Sequence, residues 1–221
     1  MNINRYIDHT LLKPTATISD IQQLCNEAIT HDFFSVCVHS CHVKVAKVVL
    51  KSSTSVKVCS VIGFPLGAMS TEAKVAELIQ AKLDGADEFD MVINISWLKS
   101  GNENLIAEEI RQLKVAAGNN VLKVIIETCY LSDEEKTKAS QLAVEAGADF
   151  VKTSTGFGTG GATIEDITII KNAVNGKAKL KASGGIRDFA IAKKYIDAGV
   201  SRLGTSNGIA IINGTTSQND Y

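Results

Sequence analysis

Along the chain, short apolar runs rich in β-branched residues alternate with longer stretches in which apolar residues recur every three or four positions. The runs are SVCV at 35–38, VKVCSVI at 56–62, EFDMVI at 88–93, LKVIIE at 122–127, FVKTS at 150–154, KLKAS at 179–183 and RLGTS at 202–206, and Tyr6-Ile7-Asp8 supplies a short eighth. Runs of this length read as strands and the stretches between them as covering helices, an alternation that predicts parallel βαβ units. One helix opens at Ser132 with a Ser-x-x-Glu capping box closed by Glu135, and it carries Ala139, Leu142, Ala143 and Ala146 on one face. Gly85, Gly118, Gly147, Gly176 and Gly199 each close a helical stretch just before a strand, at intervals of 33, 29, 29 and 23 residues. Glycine there suits a helix C-cap.

A strand-helix unit of about 30 residues repeated through this length fits either a closed barrel or an open doubly wound sheet. Eight strands favour closure, and no G-x-G-x-x-G follows the early strands to support a dinucleotide-binding open sheet. The expected fold is a single-domain TIM (β/α)8 barrel over residues 1–221, with a loosely tied tail from about residue 214. With 45% hydrophobic residues in 221, there is material for one sizeable core. The net charge of −1 argues against nucleic acid or an anionic membrane as a partner. The N-terminus MNINRYIDHT lacks the apolar segment of a signal peptide and no run approaches the length of a membrane span, so a cytoplasmic location is expected. Five scattered cysteines, Cys25, Cys37, Cys41, Cys59 and Cys129, read as thiols rather than as a disulfide framework.

A barrel of this kind places its active site at the C-terminal ends of its strands. Polar residues cluster there: Asp8, Asp90, Asn94, Lys123, Glu127, Lys152 and Lys181. Side chains alternate along a strand, so Lys152 and Phe150 face the barrel interior together while Val151 packs outward. Partial desolvation beside a second positive charge favours the neutral amine, and either Lys152 or Lys181 then becomes a nucleophile for Schiff-base chemistry. The plainer reading is a set of structural ion pairs with Glu127 or Asp90. Ser183-Gly184-Gly185-Ile186-Arg187 and Gly204-Thr205-Ser206-Asn207-Gly208 end the last two strands, where barrels commonly hold phosphate, although glycines also serve tight turns. Cys37, His39, Cys41 and His42 match no zinc spacing, and no Ser-His-Asp order or G-x-S-x-G elbow occurs. Neither a metal nor another cofactor is expected.

Seven segments then stand out together: YIDHTLLKP (6–14), VIGFPLG (61–67), GADEFDMVIN (85–94), LKVIIET (122–128), GADFVKTSTGFG (147–158), KASGGIR (181–187) and RLGTSNG (202–208). On these the chain resembles, along nearly its whole length, the deoxyribose-phosphate aldolase family of class I aldolases. The resemblance implies reversible cleavage of 2-deoxy-D-ribose 5-phosphate to acetaldehyde and D-glyceraldehyde 3-phosphate. It makes Lys152 the Schiff-base lysine, Lys181 the lysine that perturbs it, Asp90 the carboxylate of a proton relay and Lys123 a supporting lysine. It implies substrate contacts at Asp8, Cys37 and Thr155, and phosphate contacts at Gly156, Phe157, Gly184, Gly185, Arg187, Gly204, Thr205 and Ser206. Tyr221 corresponds to a C-terminal tyrosine that swings into the site. A homo-oligomer, dimer or tetramer, acting on phosphosugar and aldehyde substrates is the expected assembly. Two departures sit beside the site: His39-Ser40 where the family often has Asn-Pro, and Asp188 after Arg187 where threonine is common. The alternatives are a phosphosugar isomerase or epimerase using Asp90 and Glu127 without a covalent step, and a non-catalytic phosphosugar sensor.

Overall fold

A computed structural model describes residues 2–216. Eight strands form a closed parallel barrel in sequence order. They are β1 (Ile7–Thr10), β2 (Ser35–Val38), β3 (Lys57–Ile62), β4 (Glu88–Val92), β5 (Val121–Ile125), β6 (Phe150–Lys152), β7 (Lys179–Ser183) and β8 (Arg202–Thr205). The eight-stranded barrel matches the expected fold. The boundaries moved: β1 runs two residues further than Tyr6-Ile7-Asp8, whereas β5 and β6 stop two residues short of Glu127 and Ser154. Past β5 the backbone turns into the left-handed region at Glu127, with φ +54°, and can no longer continue a strand.

The helices are α1 (Ile18–Thr30), α2 (Val43–Val49), α3 (Thr71–Leu83), α4 (Ile95–Lys99), α5 (Glu103–Ala117), α6 (Asp133–Glu145), α7 (Ile164–Val174), α8 (Phe189–Asp197) and α9 (Gly208–Ile212). Helix α6 starts where the capping box placed it: Ser132 N–H donates to Glu135 at 2.8 Å and Glu135 N–H to Ser132 Oγ at 3.3 Å. Helix α1 has a second capping box, from Thr17 and Asp20. All five repeat glycines follow helix ends with positive φ.

Two kinds of core result. Outward strand residues such as Val36, Phe89, Val124, Val151 and Leu203 join the inner faces of the helices in one apolar shell. Inside the barrel, Leu12, Cys37, Cys59 and Val61 make a small separate apolar cluster against Phe64. The rest of the interior carries charge. Between α3 and α5 lies one fully buried ion pair outside the barrel: Lys74 Nζ is 2.7 Å from Glu109 Oε1 and donates to the Val92 carbonyl at 2.8 Å. That contact fastens the end of β4. Gly67 fastens it from another side, since a Cβ there would lie 2.1 Å from the Ile93 carbonyl oxygen and its φ is +66°. No helix among the described residues is long and apolar enough to cross a membrane.

Candidate active site

Period-two alternation turns Asp8, Glu88, Asp90, Lys123, Lys152, Lys181 and Arg202 into the barrel interior, where each is 5% exposed or less. The register brings them together: Asp90 pairs with Lys123 across β4 and β5, Lys152 with Lys181 across β6 and β7, and Lys181 with Arg202 across β7 and β8. The side chains link into a closed circuit of alternating sign. Arg202 donates to Glu88 at 2.8 and 3.2 Å. Lys123 stands 2.6 Å from Glu88 and 2.9 Å from Asp90. Lys181 stands 2.7 Å from Asp90 and 2.5 Å from Asp8, the latter an ion pair approached off the hydrogen-bond direction. Arg202 closes the circuit by donating from Nε to Asp8 at 2.7 Å, braced by Ser35, whose hydroxyl also donates to Asp8 at 2.7 Å. Lys152 hangs from this ring, 2.9 Å from the same Asp90 oxygen that Lys181 contacts.

The members of the ring bias one another's ionisation. Burial opposes ionisation of Asp90, but Lys123, Lys152 and Lys181 together outweigh it and hold the carboxyl well below its usual range. Burial likewise opposes the Asp8 carboxylate and is overcome by Arg202 and Lys181, which lower it. For Lys181 burial disfavours the ammonium, yet Asp8 and Asp90 raise it well above the lysine range. Lys123 is raised in the same way, burial being outweighed first by Asp90. Of the two lysines that the sequence offers as nucleophiles, Lys181 stands between two carboxylates, Asp8 and Asp90, while Lys152 stands beside Asp90. The lysines pair with Asp90 and not with Glu127. Glu127 instead accepts from the Thr155 hydroxyl and from Thr155 N–H at 3.2 Å, and burial pushes its carboxyl up.

Several expected contacts take a different form. Thr155 is buried, its hydroxyl engaged by Glu127 and by Phe157 N–H at 3.0 Å. Cys37 is fully buried and faces Cys59, its register partner on β3. Cys37, Cys59 and Asp90 form the one group among the described residues with metal-ligand proximity, but three ammonium groups already surround Asp90, a setting hostile to a further cation. Of the other residues in the Cys-His segment, Cys41 is exposed and His39 turns its Nε2 to the Leu12 carbonyl at 3.0 Å. All five cysteines are free thiols.

The glycine-rich strand ends gather at the same mouth. Gly156, Gly184 and Gly185 have φ of +87°, +84° and +76°. A Cβ on Gly204 would strike Ser183 Oγ at 2.2 Å and crowd Lys181 Cε at 3.1 Å, so only glycine lets β8 pass the site lysine. Ser154 and Ser183, at the ends of β6 and β7, keep buried hydroxyls with no hydrogen-bond partner among the described residues. Thr205 spends its hydroxyl on the loop, donating to Ile186 at 2.8 Å and accepting from Asn207 N–H at 2.9 Å. Ser206 lines a cavity of about 400 Å³ beside α1, whose walls include none of the ring residues. Arg187 is half-buried at the β7 loop. Phe157, 41% exposed, stacks edge-on against Phe64 with ring centres 5.3 Å apart, forming an aromatic lip. Tyr221 and most of the expected tail lie outside the described residues.

Sequence comparison matches residues 3–213 to the DeoC/LacD family of aldolases. The deoxyribose-phosphate aldolase of Carboxydothermus hydrogenoformans is 58% identical, over 99% of this chain and 97% of that one. That of Brevibacillus brevis is 55% identical, over 97% and 96%. A solved structure described as a tetrameric deoxyribose phosphate aldolase from Aeropyrum pernix superposes with a TM-score of 0.88 at 31% identity, covering 96% of this chain and 89% of that one. These matches fall on the aldolase side of the alternatives drawn from the sequence. A closed ring of buried charges with a pendant lysine, on a barrel with glycine-rich last loops, thus agrees with the match over nearly the whole length: the chain belongs to the DeoC/LacD family of aldolases.

Proposed function

We propose that the protein is a deoxyribose-phosphate aldolase that reversibly cleaves 2-deoxy-D-ribose 5-phosphate into acetaldehyde and D-glyceraldehyde 3-phosphate through an imine on Lys152. The observation that carries this reading is the position of Lys152, attached to the charged ring, among the described residues, only through an Asp90 oxygen that Lys181 shares. The neutral amine attacks the C1 aldehyde of the open-chain sugar, and loss of water gives a protonated imine. A base removes the C3 hydroxyl proton, the C2–C3 bond electrons pass to the imine, and glyceraldehyde 3-phosphate leaves. The enamine that remains takes a proton at C2, and hydrolysis returns acetaldehyde and free Lys152. Asp90 and Lys181 stand where protons are exchanged, and Lys123 holds Asp90 in place. Cys37, Asp8 and Thr155 shape the floor beside them.

The phosphate is assigned to the mouth loops, with Gly156, Phe157, Gly184, Gly185, Arg187, Gly204, Thr205 and Ser206 around it. The backbone approaches closely there, and the buried Ser183 hydroxyl has no partner among the described residues. Binding this remote group positions the bond that breaks. Tyr221 is assigned to proton transfer at the enamine carbon, and the assembly to a homo-oligomer in the cytoplasm. The test is intact-protein and peptide mass after borohydride reduction with acetaldehyde. An ethyl group on Lys152, absent from a folded Lys152→Ala variant that no longer releases aldehyde, is the expected result. An unmodified Lys152 under turnover conditions defeats the imine mechanism.

A further inference from the structure

Glu127 is a buried acid to which the proposed chemistry gives no task, and the chain holds it at φ +54°, a left-handed backbone that residues other than glycine seldom adopt. Such a backbone persists only where surrounding contacts fix it. Those contacts come from the loop after β6. Thr155 N–H lies 3.2 Å from each oxygen of the carboxyl, and the Thr155 hydroxyl donates to Oε2. With its own proton spent on Glu127, that hydroxyl accepts from Phe157 N–H at 3.0 Å, so the turn over Gly156 hangs from one acid just past the neighbouring strand. Burial pushes the Glu127 carboxyl up, and Thr155 draws it back more strongly than Lys152 does.

The same loop continues to the glycines of the mouth. A Cβ on Gly158 would lie 2.8 Å from Cys129 Sγ and 3.3 Å from Glu127 Cδ, so the loop presses on the carboxyl at contact distance. Further on, Ala162 N–H donates to the Ser183 carbonyl at 3.0 Å. A Cβ on Gly184 would lie 2.8 Å from Gly161 Cα and 3.7 Å from Gly156 Cα. The β6 loop is therefore a brace, fixed to Glu127 at one end and seated on Gly184 at the other. We propose that Glu127 is a positioning residue for the phosphate group: by accepting from Thr155 it sets the turn at Gly156 and, through Gly161, the place of Gly184 opposite. This inference rests on the assignment of phosphate to the mouth loops. Glu127 acts through the backbone of its neighbour and touches no reacting atom.

The experiment compares kcat/KM for 2-deoxyribose 5-phosphate and for unphosphorylated 2-deoxyribose in the full chain, in Glu127→Gln and in Glu127→Ala, with inhibition by inorganic phosphate as a second readout. The ratio of the two kcat/KM values reports what the phosphate contributes. Glu127→Ala is expected to lower that ratio and to weaken phosphate inhibition by about tenfold each, the scale of one hydrogen bond to a charged group. Glu127→Gln keeps an acceptor for Thr155 N–H but gives up the second oxygen, so it should lie between the parent and Glu127→Ala. Cleavage of the unphosphorylated sugar should stay near the parent value in both.

A general acid or base at Glu127 lowers cleavage of both sugars in parallel and leaves the ratio unmoved. A purely structural role does the same by reducing the active fraction, which borohydride trapping with acetaldehyde counts. An unmoved ratio in both variants overturns the proposal, as does a ratio that falls while phosphate inhibition stays unchanged. If Glu127→Ala does not fold, Glu127→Gln decides alone, a parent-like ratio being the refuting result. If neither folds, the acid is a strut of the barrel itself and the proposal falls. A parent that neither prefers the phosphorylated sugar nor is inhibited by phosphate sinks the phosphate assignment and this inference together. A parent that does both, with the ratio unmoved in the variants, sinks only the role of Glu127.

Discussion

Replacing Lys74 by methionine tests whether the buried pair behind β4 stabilises the barrel as its geometry implies. Lys74 and Glu109 are both fully buried, 2.7 Å apart, and the ammonium also donates to the Val92 carbonyl. The variant leaves the Glu109 carboxylate without its cation and Val92 without a donor. Glu109 can relieve itself by taking up a proton, a course that burial already favours by raising its carboxyl in the intact protein. From an ordinary glutamate value near 4.3, protonation at pH 7 costs about 3.7 kcal/mol, at about 1.36 kcal/mol per unit. The lost hydrogen bond adds about 1 kcal/mol. The sum, about 4–5 kcal/mol, lies in the range known for breaking a buried pair by removing one partner.

The sign with pH follows. A carboxyl held protonated in the folded variant but ionised in the unfolded chain means that folding takes up a proton, so the destabilisation shrinks as pH falls. Between pH 7 and pH 5 it should drop by about 2.7 kcal/mol. Urea unfolding of parent and variant at both pH values measures this. A loss below about 1 kcal/mol, or one independent of pH, refutes the reasoning. The paired change Lys74→Met/Glu109→Leu should recover most of the loss, because it leaves no buried charge alone.

Acid unfolding should report the ring itself. Asp8 and Asp90 are held ionised in the folded state, so their contribution is complete above the unfolded value near 3.9 and is lost as pH falls below it, with a limiting slope of about 2.7 kcal/mol per pH unit for two carboxylates. A flat stability between pH 4 and pH 2.5, followed by urea titration, counts against ionised carboxylates in the barrel. Deleting Tyr221 should slow deuterium exchange into the methyl group of acetaldehyde more than it weakens inhibition by inorganic phosphate. Unchanged exchange removes the tyrosine from the mechanism.

The strands, the closing glycines and the capping box at Ser132 were legible because each rests on local chemistry: period-two alternation, a helix end that accepts only certain backbones, and a hydroxyl three residues before a glutamate. Asp90, Lys123, Lys152 and Lys181 were legible because charge in an apolar strand demands an explanation. Arg202 and Glu88 obey the same rule but begin their strands, away from the C-terminal ends where such a barrel carries its chemistry. The available signal was spacing: Glu88 lies two residues before Asp90, and Arg202 two before Gly204, so each shares an inward face with a mouth residue. Lys74 and Glu109 carried no such signal. Each sits on an amphipathic helix rich in charge, and only the packing of α3 on α5 shows that these two charges face each other. The left-handed turn at Glu127, which draws its carboxyl away from the lysines and onto Thr155, is likewise a product of tertiary contact.

The ring also bears on how such a chain can change over generations. Its six members come from β1, β4, β5, β7 and β8, far apart in the sequence, yet each charge answers to two others. A mutation at any one of them strands a partner in a dry interior, so single steps are closed to drift, while the loss of Arg202 together with Glu88 removes one charge of each sign and leaves the sum unchanged. These two positions, 114 residues apart, should therefore vary as a pair among relatives, and the barrel floor should record its history as coupled exchanges rather than as isolated substitutions.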